Sequence, residues 1–230
     1  MDYKFGETGE ILAISSFSPF EDLALQILPM AIEGDDGAHD IAHLHRVWRN
    51  AKQICEAESG NLRLVFVAVL LHDCVSVEKN APNRHLASRM AAEKAALILK
   101  DLAWNEKEIN ATCHAIEAHS FSAGLTPKTL EAKIVQDADR LDSIGMVGVG
   151  RCFYTAGRMG SSLYDLHDPL AKQREYNDKA YTIDHFFTKL FKIESEFQTV
   201  SGRKMASERA ERMKLFLNAF LDEIQIEPVD

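Results

Sequence analysis

Three short stretches carry side chains suited to binding a metal ion. An apolar run from Leu64 through Leu71 ends abruptly in His72-Asp73. An imidazole beside a carboxylate at the end of a buried segment needs a reason, because ionisable groups are rarely buried unless paired or metal-bound. Upstream, His39 and His43 stand four apart and therefore on one helix face, a spacing that serves two ligands or one ligand and one phosphate contact. Downstream, Asp137, Asp139 and Asp142 fall within six residues among Ile134, Val135, Ala138, Leu141 and Ile144. Crowded carboxylates hold protons more tightly unless a cation relieves them; a divalent ion is the simplest relief, and Arg140 supplies a second. Each stretch also has a plainer reading: a polar last turn on a core helix, a chance pair among nine histidines, an exposed acidic stripe. Taken together they point to a divalent cation. No Glu follows His39, so the zinc-protease helix pattern is excluded.

Helices must position these residues. Ser18-Pro19 introduces an amphipathic segment with Phe20, Leu23, Leu25 and Ile27, with Glu21 and Asp22 at its positive end, and Gly34 and Gly37 close it. The spacing of Ile41, Leu44, Val47, Trp48, Ala51 and Ile54 predicts a helix over about 40–58, stopped by Ser59-Gly60. Residues 62–71 fit a buried strand or a buried helix equally by periodicity, and helix is preferred because no second strand candidate exists to pair with it. Residues 74–83 read as a loop. Helices are expected over about 84–99, 105–118 and 130–146, with Gly124 and Pro127 breaking the chain before the third and Gly148 and Gly150 loosening its continuation. Residues 160–177, rich in Gly, Ser, Asp and Pro, read as a long surface loop or lid of low intrinsic stability. Two closing helices, about 182–197 and 204–224, flank a turn centred on Ser201-Gly202. The expected fold class is all-α, with a C-terminal helical hairpin.

Composition narrows the function classes. The 230 residues, 46% hydrophobic and 27% charged, are ordinary for a soluble globular protein able to bury a core. A formal net charge of −9 speaks against nucleic-acid or acidic-membrane binding, so a phosphorylated substrate needs local help from a metal and a few Lys or Arg. Cys55, Cys74, Cys113 and Cys152 show no paired spacing, which suggests reduced thiols rather than a zinc ribbon or a disulfide framework. No signal peptide is expected, no run of 18 apolar residues occurs in the sequence, and a cytoplasmic location is expected.

The order His, His-Asp, Asp along an all-α chain resembles the HD superfamily of metal-dependent phosphohydrolases. The resemblance is carried by His-Asp-x-x-His-x-x-Arg-Val at 39–47, Leu-Leu-His-Asp at 70–73 and Asp-Ala-Asp-Arg-Leu-Asp at 137–142. It implies that His43, His72, Asp73 and Asp139 are metal ligands, Asp139 being preferred to Asp137 by its Ala-Asp-x-Leu setting. Glu78-Lys79-Asn80 with Arg84 to Ala87, Ala115-Ile116 before His119-Ser120, and His185-Phe186 before Lys189-Leu190 look like a bacterial YedJ/YpgQ-like branch. That likeness implies one divalent metal and hydrolysis of phosphate anhydrides in nucleotides. With no repeat and no domain linker in the sequence, one domain is expected, made of an N-terminal helix (1–35), the metal-binding core (36–157), and a lid loop with the closing helices (158–230).

Two imidazoles and two carboxylates without a thiolate suit a borderline-to-hard ion, with Mn²⁺ the leading choice and Fe²⁺, Ni²⁺, Co²⁺, Zn²⁺ or Mg²⁺ the others. The expected function is nucleoside triphosphate pyrophosphohydrolysis by a metal-activated water. The alternatives are a nucleoside monophosphatase, an alarmone hydrolase or a non-catalytic nucleotide sensor; a non-haem iron oxygenase on the same scaffold needs more histidine ligands. His39, Lys79, Arg84, His119 and Arg140 are candidates for substrate contact. Several HD nucleotidases carry an acid where Ser76 stands, and this departure leaves the general acid/base role open, with Glu78 and Asp142 as candidates beside the catalytic ligand Asp73. His114 and His119, five apart, are candidates for a second metal, but a single site is expected. The expected partner is a small-molecule nucleotide, with no nucleic acid and no membrane, on a monomer or homodimer.

Overall fold

The structure is a computed structural model that describes residues 14–31, 41–75, 77, 83–120 and 123–224, without the side chain of Arg84. It is all-α. Among the described residues the helices are α1 (Glu21–Ala31), α2 (Ile41–Glu58), α3 (Leu62–Leu71), α4 (Ala87–Asp101), α5 (Glu106–His119), α6 (Leu130–Asp142), α7 (Gly145–Met159) and α8 (Val200–Glu223), with a short irregular helix over residues 186–196. None of them is long and apolar enough to cross a membrane. The contacts gather into two compact units, Met1–Asp139 and Arg140–Asp230.

The first unit is built around α3. Asn61 caps it, its side-chain oxygen accepting from the Leu64 N–H at 3.2 Å. Every residue from Leu64 to Leu71 is buried, as befits a helix apolar on all sides. Helices α1, α2, α4 and α5 pack around it. Each fully buried Val, Leu or Phe contributes about 1.5–3 kcal/mol, so this one helix anchors the unit. Phe66 stacks on Phe20 at 5.0 Å and meets the edge of Trp48 at 4.7 Å, which fixes α1 and α2 against it. Asn105 caps α5 through the Glu108 N–H at 3.0 Å. Cys55 and Cys74 are buried in this unit and Cys113 is half-buried, all as free thiols.

In the second unit α7 packs against α8, which buries Ala206, Ala210, Met213, Leu217 and Leu221 along one stripe. The helix predicted over 130–146 is broken: α6 ends at Asp142, and Gly145 opens α7 with φ +74°, a left-handed conformation that favours glycine. The last helix begins four residues before its predicted start. Thr199 is its cap, accepting from the Gly202 N–H at 2.9 Å, so Ser201-Gly202 lies inside the first turn rather than in a connecting turn. The predicted first arm of the closing hairpin is the irregular helix, a π turn at Phe186–Leu190 running through Phe191–Ile193 into a 3₁₀ turn at Glu194–Glu196.

The connection expected over residues 160–177 runs on to residue 183, and it is braced. Arg174 donates to both oxygens of the wholly buried Asp184 at 2.5 and 2.9 Å, and its guanidinium lies 4.6 Å from the centre of the Tyr181 ring. Ser162 pairs with Tyr181 in an isolated bridge. A composition poor in apolar residues suggested little to hold this segment; a buried ion pair supplies what the composition lacks.

Candidate metal centre

Helix α3 delivers His72 at its C-terminal cap, wholly buried, with Asp73 next in the turn and 29% exposed at its side chain. Helix α2 presents His43 from its first turn, and α6 presents Asp139. The last residue of α5, His119, joins them. The Nε2 atoms of His43 and His72 face one another at 3.3 Å. Asp139 Oδ1 lies 3.7 Å from His43 Nε2 and 3.8 Å from His72 Nε2. Asp73 bridges the other side, with Oδ2 3.3 Å from His72 Nε2 and Oδ1 3.6 Å from His119 Nε2. Two ligand groupings result, His43/His72/Asp73 and His72/His119/Asp139, each with its donor atoms within 4.8 Å of one another.

The hydrogen bonds behind the rings decide what faces the centre. His72 Nδ1–H donates to the Val69 carbonyl at 2.7 Å, and His119 Nδ1–H donates to the Ile116 carbonyl at 2.5 Å. A carbonyl only accepts, so Nδ1 carries the proton in both rings, and a neutral ring then offers an unprotonated Nε2. Imidazole nitrogens and two carboxylates thus converge on one place. Nitrogen and oxygen donors of this kind fit a divalent ion. Without one a proton takes its place. Burial opposes charging His72, but the Asp73 and Asp139 carboxylates outweigh it and push the imidazole up to about 9. For Asp73 burial favours the neutral acid, yet His72 and His119 hold it well below the usual carboxylate range.

Of the other sequence candidates, those that the structure describes belong to neither grouping. Asp137 is wholly buried and belongs to neither grouping. Arg140 donates to the Glu196 carbonyl at 2.6 Å, with the Glu196 carboxylate 3.7 Å away, so its charge is engaged. The Asp142 carboxylate, 1% exposed, accepts from Arg151 at 2.6 Å. His114 accepts from the Lys128 N–H at 2.9 Å, which ties Lys128 back to α5 and turns the His114 Nε2 to structural use. His39, Glu78 and Lys79 lie outside the described residues, and Arg84 is described only as backbone at the start of the short turn Arg84–Leu86. Two buried amides passed unremarked in the sequence, Asn50 and Gln136; the available signal was a polar side chain interrupting an apolar helix face.

The HD domain family matches residues 40–144. YpgQ of Bacillus subtilis (strain 168) is 31% identical over 187 residues, which span 80% of this chain and 83% of YpgQ. The crystal structure of Bacillus subtilis YpgQ in complex with ADP superposes with a TM-score of 0.65 at 26% identity, covering 93% of this chain and 96% of that one. An HD-superfamily hydrolase from Bacillus thuringiensis superposes with a TM-score of 0.64 at 25% identity over 95% of this chain and 98% of its own.

Proposed function

The chain belongs to the HD superfamily of metal-dependent phosphohydrolases, and from that premise we propose that it is a nucleoside triphosphate pyrophosphohydrolase. The reaction adds water across the anhydride between the first and second phosphates and releases a nucleoside monophosphate and pyrophosphate. The observation that carries this reading is the convergence of His43, His72, Asp73 and Asp139, with Nε2 atoms 3.3 Å apart and carboxylates on both sides. These four residues would hold one divalent ion, Mn²⁺ foremost. When bound, the ion supplies a Lewis acid that lowers the proton affinity of water and polarises a phosphoryl oxygen.

The chain's own groups do the rest. The backbone carbonyls of Val69 and Ile116 orient His72 and His119, so neither ring has to reorganise on loading. His119, beside Asp73, is placed to contact a phosphoryl oxygen. Lys79 and Arg84, which come after Asp73 in the chain, add positive charge for the polyphosphate, and Glu78 is the general acid/base, since Asp142 is held by Arg151. Support for a nucleotide comes from YpgQ, whose crystal structure is in complex with ADP.

The test is a screen of nucleotides and phosphoesters with Mn²⁺, Fe²⁺, Co²⁺, Ni²⁺, Zn²⁺ and Mg²⁺, comparing the wild type with Asp73→Ala. Pyrophosphate release should need the metal, disappear with a chelator, and fall at least ~100-fold in the variant. Turnover by Asp73→Ala at the wild-type rate would sink the mechanism, and orthophosphate released from monophosphates alone would replace the substrate class.

A further inference from the structure

The centre draws its residues from four helices, and two buried amides tie three of those helices at the peptide next to a site residue. Asn50 lies on α2 seven residues after His43, two turns on and on the same face, and is 6% exposed. Its Nδ2 donates at 3.1 Å to the carbonyl of Ala138, the residue before Asp139. Gln136 lies on α6 three residues before Asp139 and is 2% exposed. Its Nε2 donates at 2.7 Å to the carbonyl of Ala118, the residue before His119. Both acceptors are carbonyls, so the donating end of each amide is unambiguous. Ala118 stands in the last turn of α5, where carbonyls lack an intrahelical partner.

Neither amide is where packing alone would put one. Val47, Trp48, Ala51 and Ile54 surround Asn50 along α2, and Ile134, Val135 and Ala138 surround Gln136 along α6, all buried. The Gln136 Oε1 atom is buried with no hydrogen-bond partner, a cost that an apolar side chain of equal size avoids. What the two amides gain in return is a fixed register between helices. We propose that Asn50 and Gln136 are positioning residues for the metal centre. Asn50 holds α6 against α2 so that Asp139 meets His43, and Gln136 holds the end of α5 against α6 so that His119 meets Asp139 and His72. The inference rests on the reading of His43, His72, Asp73 and Asp139 as the metal site.

Mn²⁺ alone is the probe, with the full chain titrated by electron paramagnetic resonance and unfolding of the metal-free protein followed in parallel. Asn50→Leu and Gln136→Met should each weaken Mn²⁺ binding about tenfold or more and broaden the bound-Mn²⁺ spectrum. In an Asp139→Asn background, Asn50→Leu should cause no further loss of affinity, because Asn50 acts through Asp139. If Asn50→Leu does not fold, Asn50→Ala removes the donor without adding bulk or charge and carries the same expectation. Variants that bind Mn²⁺ as the wild type does, with the same spectrum and only a lower unfolding temperature, would overturn the inference. A wild type that binds no Mn²⁺ would instead overturn the site reading on which it rests.

Discussion

At His43 and His72, two ring nitrogens 3.3 Å apart make protons and metal ions competitors for one position. The His72 imidazole is raised from 6.5 to about 9, so in the metal-free protein its favourable pairing with the carboxylates is complete below about pH 6.5 and is lost as pH rises through about 9. A metal ion has to displace that proton. Mn²⁺ affinity should therefore climb ~tenfold per pH unit between about pH 7 and 9 and then level off, while the metal-free protein loses stability over the same interval. Titrations with Mn²⁺ at three pH values, paired with thermal unfolding after chelation, measure both slopes. A flat affinity would show that no proton is displaced from the site. The four ligands that the family resemblance implies, His43, His72, Asp73 and Asp139, stand in three short motifs, and short motifs are what a sequence displays. His119 reads in the sequence as a candidate for substrate contact or a second metal, but its approach to Asp73 joins residues 46 apart and depends on how α5 packs on α3.

Among the elements, the junction between α6 and α7 shows where periodicity fails. Leu141 and Ile144 are both wholly buried and keep the apolar rhythm across the break, so the pattern reads as one helix. What breaks it is a backbone event at Gly145 that side-chain spacing does not encode. Gly148 is part of the same joint, since a Cβ there would fall on the Ser143 carbonyl, backbone that has nowhere to go. In an ordinary helix interior Gly→Ala gains up to ~1 kcal/mol. Here the sign should reverse, and Gly148→Ala should lose about 1–3 kcal/mol through overpacking, as read by denaturant unfolding. A stabilised variant would mean that the Ser143 turn yields. The start of α8 was missed for the opposite reason: Thr199 is a legible cap, but Gly202 two residues inside the helix reads as a turn.

At the scale of the whole molecule, the all-α class and most helix bounds followed from hydrophobic spacing, whereas the bracing of residues 160–183 did not. Arg174 and Asp184 are ten apart in a polar stretch, and nothing local marks Asp184 as a wholly buried carboxylate. The cysteines, by contrast, read as plain thiols from their spacing, and their burial gives them a use. Burial, aided by Glu131 and Glu56, pushes the Cys55 thiol up to about 11, and burial with Asp178 does the same for Cys152. At neutral pH almost none of either is the reactive thiolate. Iodoacetamide should leave Cys55 and Cys74 unmodified in the folded protein and label all four positions in denaturant, with mass spectrometry reading each site. Cys55, Cys74 and Cys113 fall in the first compact unit and Cys152 in the second. A timed pulse of alkylating reagent would then act as a stopwatch with two dials, one reporting when each half of the chain comes open.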